Sequence, residues 1–525
     1  MYPQKLLGEV NNLKKPFSFK IITVKELRKI VGDRPRKTKV VMCHGTFDIV
    51  HPGHIRQLIY AKSKGDILVV SITIDKYVTK RPISPYIPQE LRALNIAAFE
   101  IVDYVIIDKN PSPINNIKLI KPDLFVKGFE YSSNKPSKYE NDELDVIKSY
   151  GGKLIFSPGD IVYSSSDLLT TRKPNLSHEQ LLTLMTAEKI DFNKLRKTIS
   201  GFKNINVHVI GDMIIDKISY CTILGPASSS TAFSVRLDKI ETFIGAAGVV
   251  AKHLKNLGAN VILTSVVGKD IEAKKAYLDL RKAGIKLNLI EDDTRPTTIK
   301  NRFHTSNNQK LLQVDTVDNS SISNSILKKI CSSVEKTSVH AIICCDFRHG
   351  IFNRETIKQI KKSIPSKVLK IADSQVSNRW GNILDFKDFD LITPNEQEAR
   401  FALADQDTTI RPLAEKLYKD ACCKYLILKL GENGLLTYRK RGSELRKYFY
   451  IDTFVDKLVD SVGAGDALLA AATLTLAASG DIVQSAIIGN ISAAIECSKF
   501  GNYPTTTNEL LKAIEKLENR YAKND

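Results

Sequence analysis

Short apolar runs alternate with helix-like segments along nearly the whole chain, and this alternation limits the possible folds more than any other feature of the sequence. In the first third, five apolar runs have the length and composition of buried strands, and four helix-like stretches separate them. The predicted strands are 39–43, 67–73, 104–108, 124–126 and 153–156, and the predicted helices lie near 53–64, 88–99, 113–120 and 142–150. Strands and helices at this spacing indicate a parallel sheet covered on both faces. We therefore predict an α/β fold.

The alternation runs through two separate regions of the chain. It resumes at Val207 and continues to about residue 517, with one β-like interruption at 297–315, where a hairpin about residues 306–308 is expected. A chain of 525 residues also exceeds the ~250–300 residues at which a single hydrophobic core stops growing. The segment that joins the two regions is polar and contains Pro174. We predict a first domain, a linker and a second domain at residues 1–171, 172–204 and 205–525.

The chain carries a net charge of +19, from 77 basic and 58 acidic side chains. The positive excess is spread over both regions, and the aromatic residues are not interleaved with Lys and Arg as they are in base-stacking surfaces. This pattern argues against a nucleic-acid partner. An evenly positive surface instead suits an enzyme whose substrates are phosphorylated anions, because it raises their rate of encounter.

Membrane, secreted and zinc-binding classes are disfavoured as well. No apolar run reaches the ~18 residues that a membrane-spanning helix needs, and the N-terminal segment lacks the apolar core of a secretory signal. The eight cysteines include two adjacent pairs in apolar runs, Cys344–Cys345 and Cys422–Cys423, rather than metal-ligand spacings. We expect a soluble, cytoplasmic protein with reduced, buried thiols and no membrane partner.

The sharpest local pattern is CHGTFDIVHPGH, at residues 43–54, between an apolar strand and a helix-like segment. Pro52 and Gly53 stand where that helix begins, and the free N–H groups and dipole of a helix N-terminus favour a bound phosphate. His51 and His54 can both donate to phosphoryl oxygens there and stabilise the charge that grows at an α-phosphate under attack. The alternative is a pair of ordinary loop histidines, which the completeness of the pattern disfavours.

This pattern resembles that of the HxGH nucleotidyltransferases, in particular the glycerol-3-phosphate cytidylyltransferases and the adenylyltransferase domain of bacterial heptose kinase/adenylyltransferases. The likeness covers about residues 22–171 and includes PQELRALNIAA, PDLFVKGFEY and YSSSDLL. It implies a Rossmann-like domain in which His51, His54 and Lys80 are catalytic and Lys127 neutralises phosphates. The residues that the resemblance places at the nucleotide are Gly45, Thr46, Phe47, Asp48, Arg92, Lys127, Gly128, Ser164, Ser165 and Ser166.

The serine run departs from the cytidylyltransferase pattern, which has an Arg before its Thr/Ser run, and is closer to the adenylyltransferases. ATP and CTP therefore stay as two alternatives for this domain. In either case, the reaction that the resemblance implies is attack by a phosphate oxygen of the substrate on the α-phosphate of a nucleoside triphosphate, with release of pyrophosphate. Positioning and charge neutralisation supply most of such catalysis.

A second phosphate-binding pattern, LVDSVGAGDALLAAATLTLAA, occupies residues 458–478. A strand end leads into Gly463-Ala464-Gly465-Asp466 and then into a long apolar helix. The glycines let backbone N–H groups approach a transferring phosphoryl group, and Asp466 can accept the proton of an attacking hydroxyl. Alone, the pattern is equally compatible with a glycine turn before a helix that has an acidic start.

In its wider context this segment resembles the D-T-x-G-A-G-D signature of the ribokinase-family carbohydrate kinases, over about residues 206–517. VIGDMIIDKI, TPNEQEA and LKLGENG correspond to further motifs of that family. The resemblance implies a ribokinase-like α/β domain with a small β lid, ATP as the donor, Asp466 as the catalytic base, and Mg²⁺ organised indirectly by Asn395 and Glu398. The other residues that it assigns are Lys429, Gly431, Gly434, Gly463, Ala464, Gly465 and Asn490 for the nucleotide, and Asp212, Asp216, Gly245 and Gly248 for the substrate.

One segment departs from the kinase pattern. The family's Gly-Gly-x-x-Asn, which anchors sugar hydroxyls, is IGAAG here, with Ile244 at the first glycine and Gly248 at the asparagine. Three explanations are open: an atypical acceptor, replacement of the contact by another residue, or weakened phosphoryl transfer.

Taken together, the two halves resemble bifunctional heptose-phosphate kinase/adenylyltransferases with the domain order reversed. The resemblance implies a sugar kinase and sugar-phosphate nucleotidyltransferase, a homodimer, that makes a nucleotide-activated, ADP-heptose-like sugar for surface polysaccharide. The alternative is a CTP-dependent cytidylyltransferase that makes a CDP-polyol, with a degenerate or regulatory kinase-like domain that binds nucleotide. The expected cofactors are Mg²⁺ and ATP, with ATP or CTP for nucleotidyl transfer, and the expected partners are small phosphorylated sugars or polyols.

Overall fold

The computed structural model of the protein divides into two compact units, Met1–Gln180 and Leu181–Asp525, called here the first and second unit. The structure describes residues 17–78, 85–128, 138–157, 177–227, 232–305, 307, 309–375, 382–440 and 447–523. Lys80 and Ser164, Ser165 and Ser166, which the sequence assigns to the first site, lie outside these ranges.

The first unit is built on a five-stranded parallel sheet in the order β3-β2-β1-β4-β5. Its strands are β1 Val40–Gly45, β2 Ile67–Thr73, β3 Tyr104–Asp108, β4 Leu124–Lys127 and β5 Lys153–Phe156. Its helices are α1 Val24–Val31, α2 Pro52–Lys62, α3 Gln89–Ala97, α4 Ile114–Ile120 and α5 Lys138–Ser149. All five strands predicted from the apolar runs are confirmed.

Both faces of this sheet are buried, which explains why its strands are apolar runs without polar alternation. On β1, Val41 and Cys43 belong to one apolar cluster, and Val40 and Met42 belong to another. The connection from β1 leads to β2 on one side, and β4 lies on the other side of β1. The strand order therefore reverses at β1, and such a switch point is where open α/β sheets bind ligands, beyond the carboxyl ends of the strands.

The second unit contains a nine-stranded sheet in the order β10-β9-β6-β13-β14-β15-β16-β17-β18. In this spatial order, the first seven strands, from β10 to β16, are parallel, and the last two, β17 and β18, are added in antiparallel pairing. They are β6 Asn206–Gly211, β9 Asn260–Val267, β10 Lys286–Glu291, β13 Ala341–Asp346, β14 Leu369–Ser374, β15 Leu391–Ile392, β16 Tyr425–Lys429, β17 Leu435–Arg439 and β18 Tyr448–Ile451.

Helices cover both faces of the nine-stranded sheet, with one large apolar cluster on each side. They are α6 Ser177–Ala187, α7 Phe192–Ser200, α8 Ala247–Asn256, α9 Ile271–Lys282, α10 Asn324–Glu335, α11 Arg354–Ser363, α12 Glu396–Leu403, α13 Ile410–Ala421, α14 Ala464–Ser479, α15 Ile482–Cys497 and α16 Thr507–Lys523. Helices α6 and α7 lie in the segment that the sequence predicts as the linker. Their apolar side chains, among them Leu184 and Leu195, belong to the core of the second unit.

A separate four-stranded sheet, in the order β12-β11-β7-β8, belongs to the same unit. Its strands are β7 Met213–Pro226, β8 Phe233–Ala246, β11 Ile299–Thr305 and β12 Lys310–Thr316. The antiparallel pairing of β11 with β12 confirms the predicted hairpin. From the sequence we predicted only this β-like interruption of the strand–helix alternation. The long antiparallel pair of β7 and β8 is a second interruption, which was missed.

The strand register gives this sheet two unlike faces, because residues paired across strands point to the same side. One face, called here the polar face, carries charged side chains; Asp216 is paired with Lys300, and Ile218 with Arg302. The opposite face, called here the apolar face, includes six large side chains that are each more than a third exposed. They are Ile223, Val235, Leu237, Ile240, Leu312 and Val314.

Candidate active sites

The two histidines of the first site are brought together at the start of α2. His51 is the N-cap of this helix, and its Nδ1 accepts a hydrogen bond from the backbone N–H of Gly53 at 3.1 Å. Its ring stacks on that of His54, with centroids 3.9 Å apart, and the ring of Phe47 lies 5.0 Å from that of His54. Because the Nδ1 of His51 is an acceptor, the neutral ring carries its proton on Nε2, where it can be donated to a ligand.

Burial, with a smaller effect of the His51 side chain, lowers the pKa of His54 to about 4. This shift favours the uncharged ring in the free protein, in which one of the two nitrogens carries a hydrogen. A phosphate bound at the helix N-terminus would raise that pKa, because a nearby negative charge favours the protonated ring.

Asp48 and Arg92 shape the wall of the first site. Asp48 is buried, and its carboxylate accepts the backbone N–H groups of Tyr86 and Ile87 at 2.9 and 2.8 Å. Arg92 is fully buried and donates to the carbonyl oxygens of Thr46, Ile87 and Thr73 and to the Asp75 carboxylate. The sequence placed Arg92 at the nucleotide, whereas the structure uses its guanidinium to fix the loops after β1 and β2.

Lys127 ends β4 and forms an ion pair of 2.6 Å with Glu143 of α5. Both side chains are mostly buried, and Gly128 follows directly. Since β4 is the neighbour of β1, Lys127 stands at the same sheet edge as Gly45, which ends β1, and Thr46, which follows it. Glu143 is a residue that sequence reasoning missed, and its position in α5 carries no local motif that would have revealed it.

His44, the residue before the motif's first glycine, is a second residue missed from the sequence. Its ring lies 3.0 Å from the Ser71 hydroxyl and 3.2 Å from the Thr73 hydroxyl, and the Asp108 carboxylate is 3.9 Å away. Burial, aided by the charge of Lys127, lowers the pKa of His44 to about 4. The carboxyl ends of β1, β2 and β3 are therefore joined by a buried polar network under the first site.

The second site is built around the N-terminus of α14. Gly463 precedes this helix with a φ of +83°, a left-handed conformation that favours glycine. A Cβ at this position would also lie only 2.7 Å from the Asn502 side-chain oxygen. Ala464, Gly465 and Asp466 form the first turn, so the predicted anion-binding glycines and the predicted base share one helix end.

Three carboxylates converge on one lysine beside this turn. Lys429, at the end of β16, is bonded through Nζ to Asp373 of β14 at 2.9 Å; the Asp373 side chain is buried and the Lys429 side chain is mostly buried. Asp466 and Glu398 are close enough for their charges to raise the pKa of Lys429, together with Asp373, against the opposing effect of burial. Asp373 was missed from the sequence, although a carboxylate at the carboxyl end of an apolar strand is a signal that could have found it.

Two carboxylates of this cluster, Asp466 and Glu398, hold their protons unusually tightly. Burial, reinforced by Asp373, raises the pKa of Asp466 to about 8. Burial also raises the pKa of Glu398 to about 7, with Lys429 opposing and Asp373 reinforcing the shift. A group with a pKa near the working pH is suited to take and release a proton, which supports the base role predicted for Asp466.

Asn395 and Glu398 form a reciprocal cap at the start of α12. The Asn395 side chain accepts the N–H of Glu398 at 2.8 Å, and Glu398 accepts the N–H of Asn395 at 2.7 Å. Within the described ranges no three His, Cys, Asp or Glu residues are arranged to hold a metal ion. Mg²⁺ bound mainly through nucleotide phosphates needs only one or two protein carboxylates, and the buried oxygens of Glu398 and Asp373 fit that requirement.

The remaining residues assigned to the kinase nucleotide are held by the backbone around them. Gly431 and Gly434 bound a short turn after β16, with φ of +59° and +80°. A Cβ at Gly434 would lie 2.1 Å from the Ile451 carbonyl oxygen, so the turn requires glycine there. Asn490 of α15 is buried and donates to the Asp452 carbonyl oxygen at 2.7 Å.

The two acids predicted to bind the sugar acceptor, Asp212 and Asp216, lie just before and near the start of β7 in the four-stranded sheet. The Asp212 carboxylate accepts the backbone N–H groups of Phe347 and His349, at 3.0 and 3.2 Å, and burial together with Asp346 raises its pKa to about 7. Asp216 pairs with Arg302 at 2.6 Å, and its charge affects the pKa of Asp466. The polar face of this sheet is thereby linked electrostatically to the catalytic cluster.

Gly245 and Gly248 have different surroundings. A Cβ at Gly245 would lie 2.2 Å from an Asp216 carboxylate oxygen, so glycine gives this acid its space. A Cβ at Gly248 would lie 2.3 Å from Cγ2 of Ile244 and 3.5 Å from Met213, both core residues. The sequence placed Gly248 at the substrate, whereas here it is a packing position whose side-chain space is filled by Ile244.

Two family sequence models match the chain. That of the pfkB family carbohydrate kinases matches residues 204–508, more than half of the chain, and that described as cytidylyltransferase-like matches residues 42–168. Among the described residues, no helix combines the length and the apolar character needed to span a bilayer.

Curated relatives carry the name bifunctional protein HldE. The one from Bradyrhizobium diazoefficiens is 26% identical over 332 residues, which cover 62% of this chain and 65% of that protein. The one from Campylobacter fetus subsp. fetus is 44% identical over 136 residues, which cover 24% of this chain and 28% of that protein. The chain thus spans less than two thirds of the length of these relatives.

Among solved structures, phosphofructokinase-2 from Escherichia coli in complex with potassium superposes with a TM-score of 0.50 at 15% identity. The superposition covers 60% of this chain and 99% of that one. At this identity the likeness establishes the fold alone.

Proposed function

The chain belongs to the pfkB family of carbohydrate kinases, and from this family and the two sites we propose that it is a bifunctional sugar kinase and sugar-phosphate nucleotidyltransferase. One observation carries the proposal: each unit places its candidate catalytic residues, His51 with His54 and Asp466, at a helix N-terminus beyond a parallel sheet. Such ends bind phosphate, and here each is combined with groups that can donate or accept a proton. The proposed product is a nucleotide-activated, ADP-heptose-like sugar for surface polysaccharide.

In the proposed kinase reaction, Asp466 takes the proton of the acceptor hydroxyl while that oxygen attacks the γ-phosphate of ATP. The backbone N–H groups at the start of α14 bind the transferred group, and Gly465 leaves open the space between this turn and the Lys429 ammonium. Mg²⁺, bound through the phosphates and the Asn395–Glu398 end of α12, would supply charge neutralisation. The chemistry needs little from the protein beyond position and charge.

In the proposed nucleotidyl transfer, His51 and His54 donate hydrogen bonds to the oxygens of the α-phosphate as negative charge builds up there. Lys127 contributes its positive charge from the end of β4, and Lys80 and Ser164–Ser166 stay as predicted contributors. Burial favours the neutral form of His54 in the free protein, and the negative charge of a bound triphosphate would favour the protonated form, which strengthens the contact.

The polar face of the four-stranded sheet supports an anionic acceptor. Lys300 and Arg302 lie on this face together with Asp216, and burial lowers the pKa of Lys300 while Asp216 opposes that shift. Two cations beside the carboxylate that is coupled to Asp466 suit a sugar that already carries a phosphate. Asp212 and Asp216 would then hold its hydroxyls.

The apolar face of the same sheet supports a homodimer. Its six exposed large side chains form one surface on paired strands, and exposed apolar surfaces of this kind mark association sites. We expect Leu237→Glu to shift the protein from dimer to monomer in sedimentation experiments. Leu278→Glu, at a somewhat more exposed position on α9, is the matched control and should leave the dimer intact. A monomeric wild-type protein would contradict the proposal.

The same proposal includes the limits of the two domains, a nucleotidyltransferase at 1–171 and a kinase at 205–525, and their reversed order. Its test is a mass-spectrometric screen of the full chain with ATP or CTP against sugar phosphates and polyol phosphates. Conversion of a sugar phosphate to a bisphosphate with ADP release, and of a sugar-1-phosphate to a nucleotide sugar with pyrophosphate release, is the expected result. A CDP-polyol as the only product would favour the cytidylyltransferase alternative, and no product in either reaction would overturn the function.

A further inference from the structure

Lys429 has a fixed position in the second site. It is the last residue of β16, its ammonium lies 2.9 Å from an Asp373 carboxylate oxygen, and its side chain is 15% exposed. The Thr393 hydroxyl donates to the same Asp373 oxygen at 2.9 Å, so the anchor of the lysine is itself held in place. The backbone N–H of Lys429 donates to the Pro394 carbonyl oxygen at 2.9 Å, which brings the end of β16 beside Asn395.

The ammonium stands directly over the first turn of α14. A Cβ built on Gly465 would lie 3.3 Å from Nζ of Lys429, and glycine leaves that space open. A helix N-terminus carries a partial positive charge, and an ammonium beside it adds a full one. The ammonium, which also pairs with Asp373, and the backbone N–H groups of the turn offer hydrogen-bond donors to an anion in the small space between them, immediately next to Asp466.

Lys429 also acts on Asp466 as a cation. The charged groups that influence this acid are Asp373 on β14, Asp216 on β7 and Glu496 on α15, which are all acidic, and Lys429 on β16. Burial and Asp373 raise the pKa of Asp466, and Lys429 lowers it. Loss of the ammonium would therefore leave Asp466 protonated up to a higher pH.

We propose that Lys429 is a catalytic residue of phosphoryl transfer, whose ammonium contacts the transferring phosphoryl group beside the N-terminal amides of α14. The inference rests on the kinase function proposed above. The acceptor oxygen forms a bond to the γ-phosphorus while the bond from that phosphorus to the β,γ-bridging oxygen breaks, and ADP leaves with the bonding electrons. The hydroxyl proton passes to Asp466, and Lys429 neutralises charge on the transferred group.

The experiment measures ADP release by the full-length protein and its Lys429→Met, Lys429→Gln and Lys429→Arg variants, between pH 6 and 9, with an acceptor found in the screen. The two neutral variants should lose about 10²–10³-fold in kcat, the usual effect of removing one charge-stabilising donor. KM for ATP should change less than tenfold. The acid limb of the kcat profile should move to higher pH, and Lys429→Arg should recover part of kcat and restore the limb.

The matched control is Lys361→Met, which removes a partly buried lysine paired with Asp388 at 2.8 Å in the same unit, on helix α11, which contributes no residue to the cluster. It should keep kcat and the pH profile within threefold. The proposal is overturned by neutral variants that keep kcat within threefold and change only KM for ATP, by an Arg variant that rescues nothing, or by neutral variants that both fail to fold. A wild-type protein without turnover of any acceptor would instead overturn the kinase function itself.

Discussion

His51 combines a structural and a catalytic role that two substitutions can separate. His51→Ala removes both the ring donor and the N-cap of α2, whereas His51→Asn keeps a capping side chain and removes only the ring. Both variants should lose about 10²–10³-fold in nucleotidyl transfer. Only the Ala variant should lose about 1 kcal/mol of stability, measured by chemical denaturation.

Kinase turnover of the same His51 variants is the internal control and should stay unchanged. Equal loss of both activities would show that the substitution acts on the whole fold rather than on the first site. A nucleotidyl transfer rate within threefold of wild type in both variants would remove His51 from the catalytic residues.

Asp466→Asn tests the base of the second site. We expect this variant to lose activity and to gain stability at high pH. Removing the base should lower phosphoryl transfer by about 10²–10⁴-fold. Because burial and Asp373 raise the folded-state pKa of Asp466 to about 8, folding stability that is present below pH 3.8 is lost as the pH rises through 8. The Asn variant avoids that loss and should melt higher than wild type at pH 8.5 and equally at pH 4.

The thermal midpoints at those two pH values and the rate of ADP release check this prediction together. A melting difference that is the same at both pH values would mean that Asp466 does not titrate in this range. A slow variant with an unchanged stability profile would still support the base role, but it would contradict the burial argument.

At the scale of elements, the junction of β8 and α8 is where the sequence pattern and the structure differ most. Gly248 does not need glycine for its backbone conformation, since its φ is not positive; it needs glycine because Ile244 fills the adjacent space. Ile244 is β-branched and stiff at χ1, so it cannot easily move aside. We therefore interpret Ile244 and Gly248, the two departures from the family pattern, as one coupled change in packing.

A double-mutant cycle tests that coupling. Gly248→Ala alone should destabilise the protein by about 1–3 kcal/mol through overpacking, and Ile244→Ala alone by about 2–5 kcal/mol through a cavity. In the double variant the added methyl occupies part of the cavity, so the loss should be at least ~1 kcal/mol smaller than the sum. Denaturant unfolding of the four proteins measures this; strictly additive losses would show that the two residues do not share the space.

The elements that sequence reasoning predicted are those whose signal is local. The five strands of the first unit are continuous apolar runs, and the β11–β12 hairpin has a turn between two short strands. The motif histidines could be placed at a helix start because Pro52 and Gly53 mark it. In contrast, β7 has no regular alternation of polar and apolar residues, and β7 and β8 pair around a connection without a tight-turn signature, so their pairing was missed.

The residues that could not be predicted depend on contacts between distant parts of the chain. Asp373 becomes a site residue only because β14 and β16 bring it to Lys429, 56 positions away. Arg92 carries a basic side chain of the kind that binds phosphate, but loops from two strand ends surround it and consume its donors. A sequence pattern gives the type of a side chain, whereas the packing of other elements decides what that side chain can reach.

At the scale of the whole molecule, the two units have separate sheets and separate apolar clusters, so each should fold alone. The structure also indicates where the cut has to be made. Helices α6 and α7 contribute Leu181, Leu184, Leu195 and Ile199 to the core of the second unit. Glu188, between these helices, pairs with the buried Arg439 at 2.6 Å.

We therefore expect fragments 1–176 and 177–525 to unfold cooperatively, and fragment 200–525 to fail. The shorter fragment loses at least four large core side chains at ~1.5–3 kcal/mol each, a total that matches the ~5–15 kcal/mol by which a typical domain is stable. It also leaves Arg439 without Glu188. Calorimetry of the fragments measures the difference. A cooperative transition in fragment 200–525 at the same temperature as in 177–525 would contradict this prediction. It would show that α6 and α7 do not stabilise the second unit and that they act only as the linker predicted from the sequence.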